Sequence, residues 1–222
     1  MKNVSFFTAL ISLFIILIIM TGCTSSRSTQ NTSKELSSKD ANSSSARITQ
    51  NGGSSVKKEE PPLKIIIYTD FQCGACSKLN SEVEPQLRLF EDSGMAKIET
   101  RIVGALGEDS MLAGEAALCA ADQGKFHEYL DALFSKWRQD EDDPYAKEKL
   151  IELAASLGMD ANAMRLCLDN KSKRSLLEKN LSMARADGVN TLPAVFINGN
   201  KIEGYKPLER YIQAIDRAIS EL

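Results

Sequence analysis

The stretch "LKIIIYTDFQCGACSKLN" occupies residues 63–80. It begins after Pro61-Pro62 as an unbroken β-branched run and ends in two cysteines, Cys73 and Cys76, separated by Gly74 and Ala75. A short apolar run bounded by turn signals reads as a buried strand, "LKIIIYTDF" over 63–71. After Ala75 the pattern turns helical, because Leu79, Val83, Leu87 and Phe90 fall near one helical face. Pro85 lies inside that pattern and is expected to interrupt it. "AKIETRIVG" (96–104) alternates apolar and polar residues and reads as a second strand. The unit from 63 to 104 is therefore β-α-β, with the cysteines at the strand-to-helix turn.

A Cys-x-x-Cys pair grips zinc, staples a loop, or carries electrons as a dithiol that opens and closes. At a helix start, Cys73 meets unpaired backbone N–H groups and the positive end of the helix dipole. That setting lowers a thiol pKa, and the thiolate is the nucleophile. Cys76, one turn further on and more buried, is placed to resolve the mixed disulfide that Cys73 makes. A closed zinc site wants four ligands, commonly as two close pairs. Beyond this one pair the chain has only isolated cysteines and a single histidine, His127. His127 in "KFHEYL" reads as an ordinary surface or boundary residue. A purely structural disulfide over so short a loop gains little chain entropy. The redox reading is favoured.

The N-terminus carries a different signal. Lys2 is followed by an apolar run from Val4 to Met20, the layout of an export signal. The run ends in "MTGC", which resembles the lipobox of bacterial lipoproteins and makes Cys23 the lipidation candidate, with residues 1–22 as signal peptide. An uncleaved membrane anchor and a soluble secreted form are the alternatives, the run of ~17 residues being near the lower limit for a span. All three put the body of the protein outside the cytoplasm, where disulfides persist. Thr24 to Glu60 is dominated by Ser, Thr, Asn, Gln and Gly without periodicity. The segment 23–62 is accordingly expected to be a disordered tether, and 63–222 the folded domain.

Charge argues against nucleic acid. The first 60 residues hold 7 basic and 4 acidic side chains, leaving 20 and 26 over 61–222, a net of −6. No cluster of Lys and Arg stands ready to displace phosphate counterions. The acidic run "QDEDDP" (139–144) reads as a solvated loop.

Between Glu108 and Asp187 the chain reads as helical throughout. "SMLAGEAALCAADQG" and "KFHEYLDALFSKW" space apolar residues by three and four. Phe126, Tyr129, Leu130, Leu133, Phe134 and Trp137 form a stripe that reads as bundle core, part of which is free to face a site instead. Gly158 is a C-cap candidate, Asp160 an N-cap candidate for "ANAMRLCLDN", and Gly188 the stop of the last helix. The end reverts to β: "PAVFING" runs into an Asn198-Gly199 hairpin turn, "KIEGY" is its partner, and "PLERYIQAIDRAI" is a closing amphipathic helix.

"IIIYTDFQCGAC", "ALCAADQGKFHEYLDALF" and "GVNTLPAVFINGN", in that order, resemble the DsbA-like thiol–disulfide oxidoreductases of the thioredoxin superfamily. The resemblance covers about 63–222. It implies an α/β thioredoxin fold with an inserted helical domain at about 108–187. It also implies a cis-Pro loop (Thr191, Leu192 and Pro193) flanking Cys73 and binding substrate, although Pro193 also suits a plain strand start. Cys119 and Cys167 correspond to a second, structural disulfide found in some relatives, the alternative being two buried free thiols. The implied activity is oxidation of cysteine pairs in exported proteins of a bacterial cell envelope. A membrane quinone-linked partner of the DsbB or vitamin K epoxide reductase-like type would reoxidise the pair, and no cofactor is implied. The same residues run backward in a reductase or isomerase, and a non-catalytic thioredoxin-like binding lipoprotein is the alternative from another class. The chain departs from the family in its Gly74-Ala75 dipeptide, where oxidising members often carry a Pro-containing one, and in lacking an acid within Ile65-Ile66-Ile67. Asp70 is the evident local charge, and a nearby carboxylate raises a thiol pKa.

Overall fold

The computed structural model describes residues 60–139 and 143–222. The expected export signal, residues 23–59 of the expected tether, and Cys23 lie outside the described residues, as do residues 140–142 of the acidic run.

The first unit is β1 (Leu63–Thr69), α1 (Gly74–Glu82), α2 (Glu84–Asp92) and β2 (Ala96–Ile102). Pro85 sits in the first turn of α2, where its missing N–H removes no intrahelical bond. One helical pattern thus becomes two short helices joined at Val83. Both strands stop two residues before the ends read from the sequence: Asp70 turns its carboxylate into the following loop, and Gly104 takes φ +57°. Five helices follow, α3 (Glu108–Asp122), α4 (Phe126–Arg138), α5 (Lys147–Ser156), α6 (Ala161–Asp169) and α7 (Arg174–Ala186). The Asp160 side chain caps α6 by accepting from the backbone N–H groups of Asn162 and Ala163. The chain closes with β3 (Ala194–Ile197), β4 (Asn200–Glu203) and α8 (Leu208–Ser220).

The sheet order is β2-β1-β3-β4. β1 runs parallel to β2, with Ile65 opposite Ile98, and antiparallel to β3, with Ile65 opposite Ile197. β3 and β4 form the hairpin, and Asn198 and Gly199 both take positive φ, 45° and 86°, as a type I′ turn requires. This is a thioredoxin-like α/β fold with a helical insertion.

Alternation along β1 divides the core. Leu63, Ile65 and Ile67 pack with Leu79, Val83 and Leu87 from α1–α2 and with Tyr211 and Ile215 of α8. Tyr68 faces the other way, with Ala194, Ala184 and the partly buried Leu181 of α7. A further cluster joins the insertion to the cysteine turn: Ala113, Ala116 and Ala117 of α3, Leu130 and Phe134 of α4 and Leu150 of α5 share it with Phe71 and Cys76. A Cβ on Gly114 would lie 3.0 Å from both Ile102 and Leu177, so glycine allows α3 to sit between β2 and α7. Of the aromatic stripe, Tyr129, Leu130, Leu133 and Phe134 are fully buried, whereas Phe126 and Trp137 are partly buried.

Candidate active site

The turn from β1 into α1 is built around Asp70. Its carboxylate is fully buried and accepts three bonds: from the Gln72 N–H (3.0 Å), the Ala105 N–H (2.7 Å) and the Ser110 hydroxyl (2.6 Å). These partners tie the end of β1 to the β2–α3 loop, and none of them is a cysteine. The Phe71 ring packs on Phe134 with centroids 4.8 Å apart, and the Phe71 carbonyl accepts from the Tyr145 hydroxyl at 2.6 Å. Burial, with help from Asp70 and Asp109, pushes the Tyr145 phenol up, so it stays protonated and donating. The segment leading to the cysteines is thereby gripped on both sides by the insertion.

Cys73 is the N-cap of α1, with extended backbone (φ −95°, ψ 108°). Its sulfur accepts from the Cys76 N–H at 3.1 Å, and its carbonyl accepts from the Ser77 N–H at 3.0 Å. An N-cap side chain takes up donors that the first turn of a helix leaves unpaired. A sulfur in that place gains most when it is a thiolate, since the positive helix end favours negative charge. The two cysteines are disulfide-bonded, with Cα atoms 5.1 Å apart. Cys73 is partly exposed and Cys76 fully buried, so an incoming thiolate reaches the outer sulfur and not the inner one.

Gly74 lies against Trp137, and a Cβ on residue 74 would stand 3.3 Å from the indole. Trp137 therefore belongs with the cysteines as much as with the bundle core. A cavity of about 920 Å³ opens beside the pair, with Gly74, Ala75, Trp137, Arg138, Tyr145 and Tyr205 among its lining. Arg138, at the end of α4, donates to the Ser77 hydroxyl (3.1 Å) and the Ser77 carbonyl (3.3 Å). This puts a fixed cation one residue past Cys76, where the dipeptide itself supplies no polar side chain. Behind α1, Asp131 of α4 accepts from Asn80 (2.6 Å) and twice from Arg88 (2.5 and 2.8 Å). Arg88 also pairs with the buried Glu84 at 3.2 Å. Burial raises the Glu84 carboxyl to about 7 against the opposing pull of Arg88.

The Leu192–Pro193 peptide is cis. Thr191 is exposed, Leu192 partly buried and Pro193 buried. Leu192 packs on the same apolar cluster as Cys73. Cys119 of α3 and Cys167 of α6 are joined by a disulfide with Cα atoms 6.1 Å apart. His127 is partly buried, and burial holds it below its ordinary value. Among the described residues no group of three or more His, Cys, Asp or Glu side chains gathers as a metal would require.

Sequence reasoning missed Arg138, Ser110, Tyr145 and the Glu84–Arg88–Asp131 cluster. Ser110 and Tyr145 meet the site from 40 and 74 residues away, beyond any local pattern. Arg138 had one usable signal, its place directly after Trp137 at the end of an amphipathic helix.

The family model described as thioredoxin matches residues 51–217. A probable disulfide bond formation protein D from Bacillus anthracis is 25% identical over 151 residues, covering 66% of this chain and 70% of the relative. The Na(+)/H(+) antiporter NhaA of Herminiimonas arsenicoxydans is 28% identical over 146 residues, but the chain spans only 22% of that protein's length. The crystal structure of oxidised BdbD from Bacillus subtilis shares the fold, with a TM-score of 0.67 at 22% identity over 73% of this chain and 90% of that one. With a family match over most of its length and a Cys73–Cys76 pair at the strand-to-helix turn, the chain belongs to the thioredoxin family.

Proposed function

We propose that this chain is an extracytoplasmic dithiol oxidase that introduces disulfides into exported proteins through Cys73 and Cys76. The observation that carries the reading is the asymmetry of the pair: a partly exposed sulfur capping α1, bonded to a fully buried one. A substrate thiolate attacks the Cys73 sulfur, the Cys73–Cys76 bond breaks, and Cys76 leaves as a thiolate that takes up a proton. A second substrate thiolate then attacks the substrate sulfur of the mixed disulfide and releases Cys73. The substrate has lost two electrons and gained a disulfide, and the enzyme pair has gained the two electrons. The Cys73 leaving group is stabilised by the Cys76 N–H it accepts from and by the helix terminus; a lower leaving-group pKa speeds exchange.

The direction of flow is supported by relatives named as disulfide bond formation proteins. In this reading Thr191, Leu192 and Pro193 present backbone to the substrate chain. Asp70 lends its charge to tuning the pair from one residue past β1. A membrane quinone-linked reoxidant takes the electrons away. Cys23 would carry lipid at the end of the 23–62 tether, holding the domain at the outer side of a bacterial membrane. Cys119–Cys167 serves stability alone.

The test is a Cys76→Ser variant expressed in a bacterium that exports the chain. Without a resolving thiol, mixed disulfides with cysteine-containing exported proteins should accumulate through Cys73 and disappear on reduction. A non-catalytic binding module would trap nothing beyond what Cys73→Ser/Cys76→Ser traps, and that result would sink the proposal.

A further inference from the structure

The loop that leads into the cis peptide, residues 188–193, belongs to no strand or helix, yet its backbone is held by two side chains of β4. The Glu203 carboxylate accepts from the Asn190 N–H at 2.8 Å. Lys201 donates to the Gly188 carbonyl at 2.5 Å and stands 3.2 Å from Glu203. The Pro193 carbonyl in turn accepts from the Gly204 N–H at 2.8 Å. Glu203 and Lys201 are two strand positions apart and so on the same side of β4, whose register against β3 pairs Glu203 with Ala194. The loop backbone is thus pinned at three points, the Gly188 carbonyl, the Asn190 N–H and the Pro193 carbonyl, and this fixes how its peptide planes face.

We propose that Glu203, backed by Lys201, is the positioning residue of the substrate-binding loop: it sets the backbone of 190–192 for pairing with a polypeptide and takes no part in the sulfur chemistry. The inference rests on the reading of Thr191–Pro193 as the substrate-binding loop. A polypeptide that lays its backbone along that loop needs the peptide groups already oriented, because ordering them at binding costs conformational entropy. A small thiol that only reaches the Cys73 sulfur does not. Glu203 therefore separates the two classes of substrate, and its loss raises KM for peptides while leaving small-thiol exchange unchanged.

The test compares Glu203→Ala, Glu203→Gln and Lys201→Met with the wild-type full chain, turning over with oxidised glutathione as terminal oxidant and oxidising either dithiothreitol or an unstructured peptide carrying two cysteines, the uncatalysed rates being subtracted. Glu203→Ala should lower kcat/KM for the peptide by about tenfold, equivalent to about 1.4 kcal/mol, mainly through KM. Dithiothreitol rates and the redox potential should stay within twofold and within experimental error of wild type. Glu203→Gln keeps one acceptor oxygen and should recover part of the loss, and Lys201→Met should show a smaller loss of the same kind. Equal losses with both substrates would mean a structural role and would overturn the proposal, as would an unchanged peptide rate. A wild-type chain that oxidises neither substrate would instead refute the proposed function, so the two failures are told apart.

Discussion

Removing the Cys119–Cys167 bridge should cost the fold a large part of its stability while leaving the redox site working. The bridge ties α3 to α6 across a separation of 48 residues. In the chain-entropy model a loop of that length restricts the unfolded state by about 14 cal/mol/K, or about 4 kcal/mol at 25 °C. Domains are typically stable by about 5–15 kcal/mol, so the loss is substantial. For a folded part of roughly 160 residues the unfolding entropy is about 0.34 kcal/mol/K, which turns that loss into a fall in Tm of about 12 °C. A Cys119→Ala/Cys167→Ala variant is the right perturbation, because alanine leaves no polar atom in the nearly dry site around Cys119. Calorimetry on the oxidised forms gives the Tm difference, and urea titration gives the free energy. The Cys73–Cys76 loop spans only 3 residues, and its chain-entropy share is about 1.6 kcal/mol. For an oxidant even that is offset, because the reduced form is the more stable one. A Tm loss below about 3 °C, or under about 1 kcal/mol in urea, would mean that the bridge contributes little to the fold.

Three further perturbations bear on the site. Gly74→His should displace Trp137, the chain's one tryptophan, which stands 3.3 Å from where a Cβ on residue 74 would lie; indole emission should change when the wild-type pair is reduced, and should respond much less in the variant. Asp70→Asn turns an acceptor into a donor opposite the Gln72, Ala105 or Ser110 donors and should cost about 1–3 kcal/mol for the group left unpaired, read from urea unfolding. Glu84 is held protonated more readily folded than unfolded, from 4.5 to about 7, so its contribution is fully present below about pH 4.5 and is lost as pH rises through about 7. Glu84→Gln should therefore flatten the fall in stability across that window, a fall of about 3 kcal/mol, and an unaltered pH profile would contradict the buried-acid assignment.

Much of the fold was legible because its signals are local. Ile65-Ile66-Ile67 between Pro62 and the cysteines could only be a buried strand, Pro85 marked the break between α1 and α2, and Asp160 announced a helix start by side-chain chemistry alone. Asn198-Gly199 fixed the hairpin because both positions need positive φ. The cysteine pair was legible for the same reason, since a strand-to-helix turn is a local object. The surroundings of the pair were not. Trp137 has the same three- and four-residue spacing as Leu130, Leu133 and Phe134, and only the docking of α4 on α1 puts it against Gly74. The Asp70 charge beside the cysteines is visible in the sequence, but its bonds to Ala105 and Ser110, 35 and 40 residues away, leave no local signal. Arg138 and Glu203 likewise act on partners that only tertiary topology supplies. Periodicity reports which face of an element is buried, and it is silent on which polar groups two faces bring together.

The central claim, that Cys73 and Cys76 act as an oxidant of exported proteins, is most directly tested by the resting state of the pair in growing cells. Acid quenching followed by alkylation with a mass-tagged maleimide counts free thiols on the chain before any exchange occurs. Cys73 and Cys76 should be mostly disulfide-bonded at steady state and should shift to the dithiol when the quinone pool is blocked. A pair found mostly reduced in untreated cells would contradict it and assign the site to reduction or isomerisation instead.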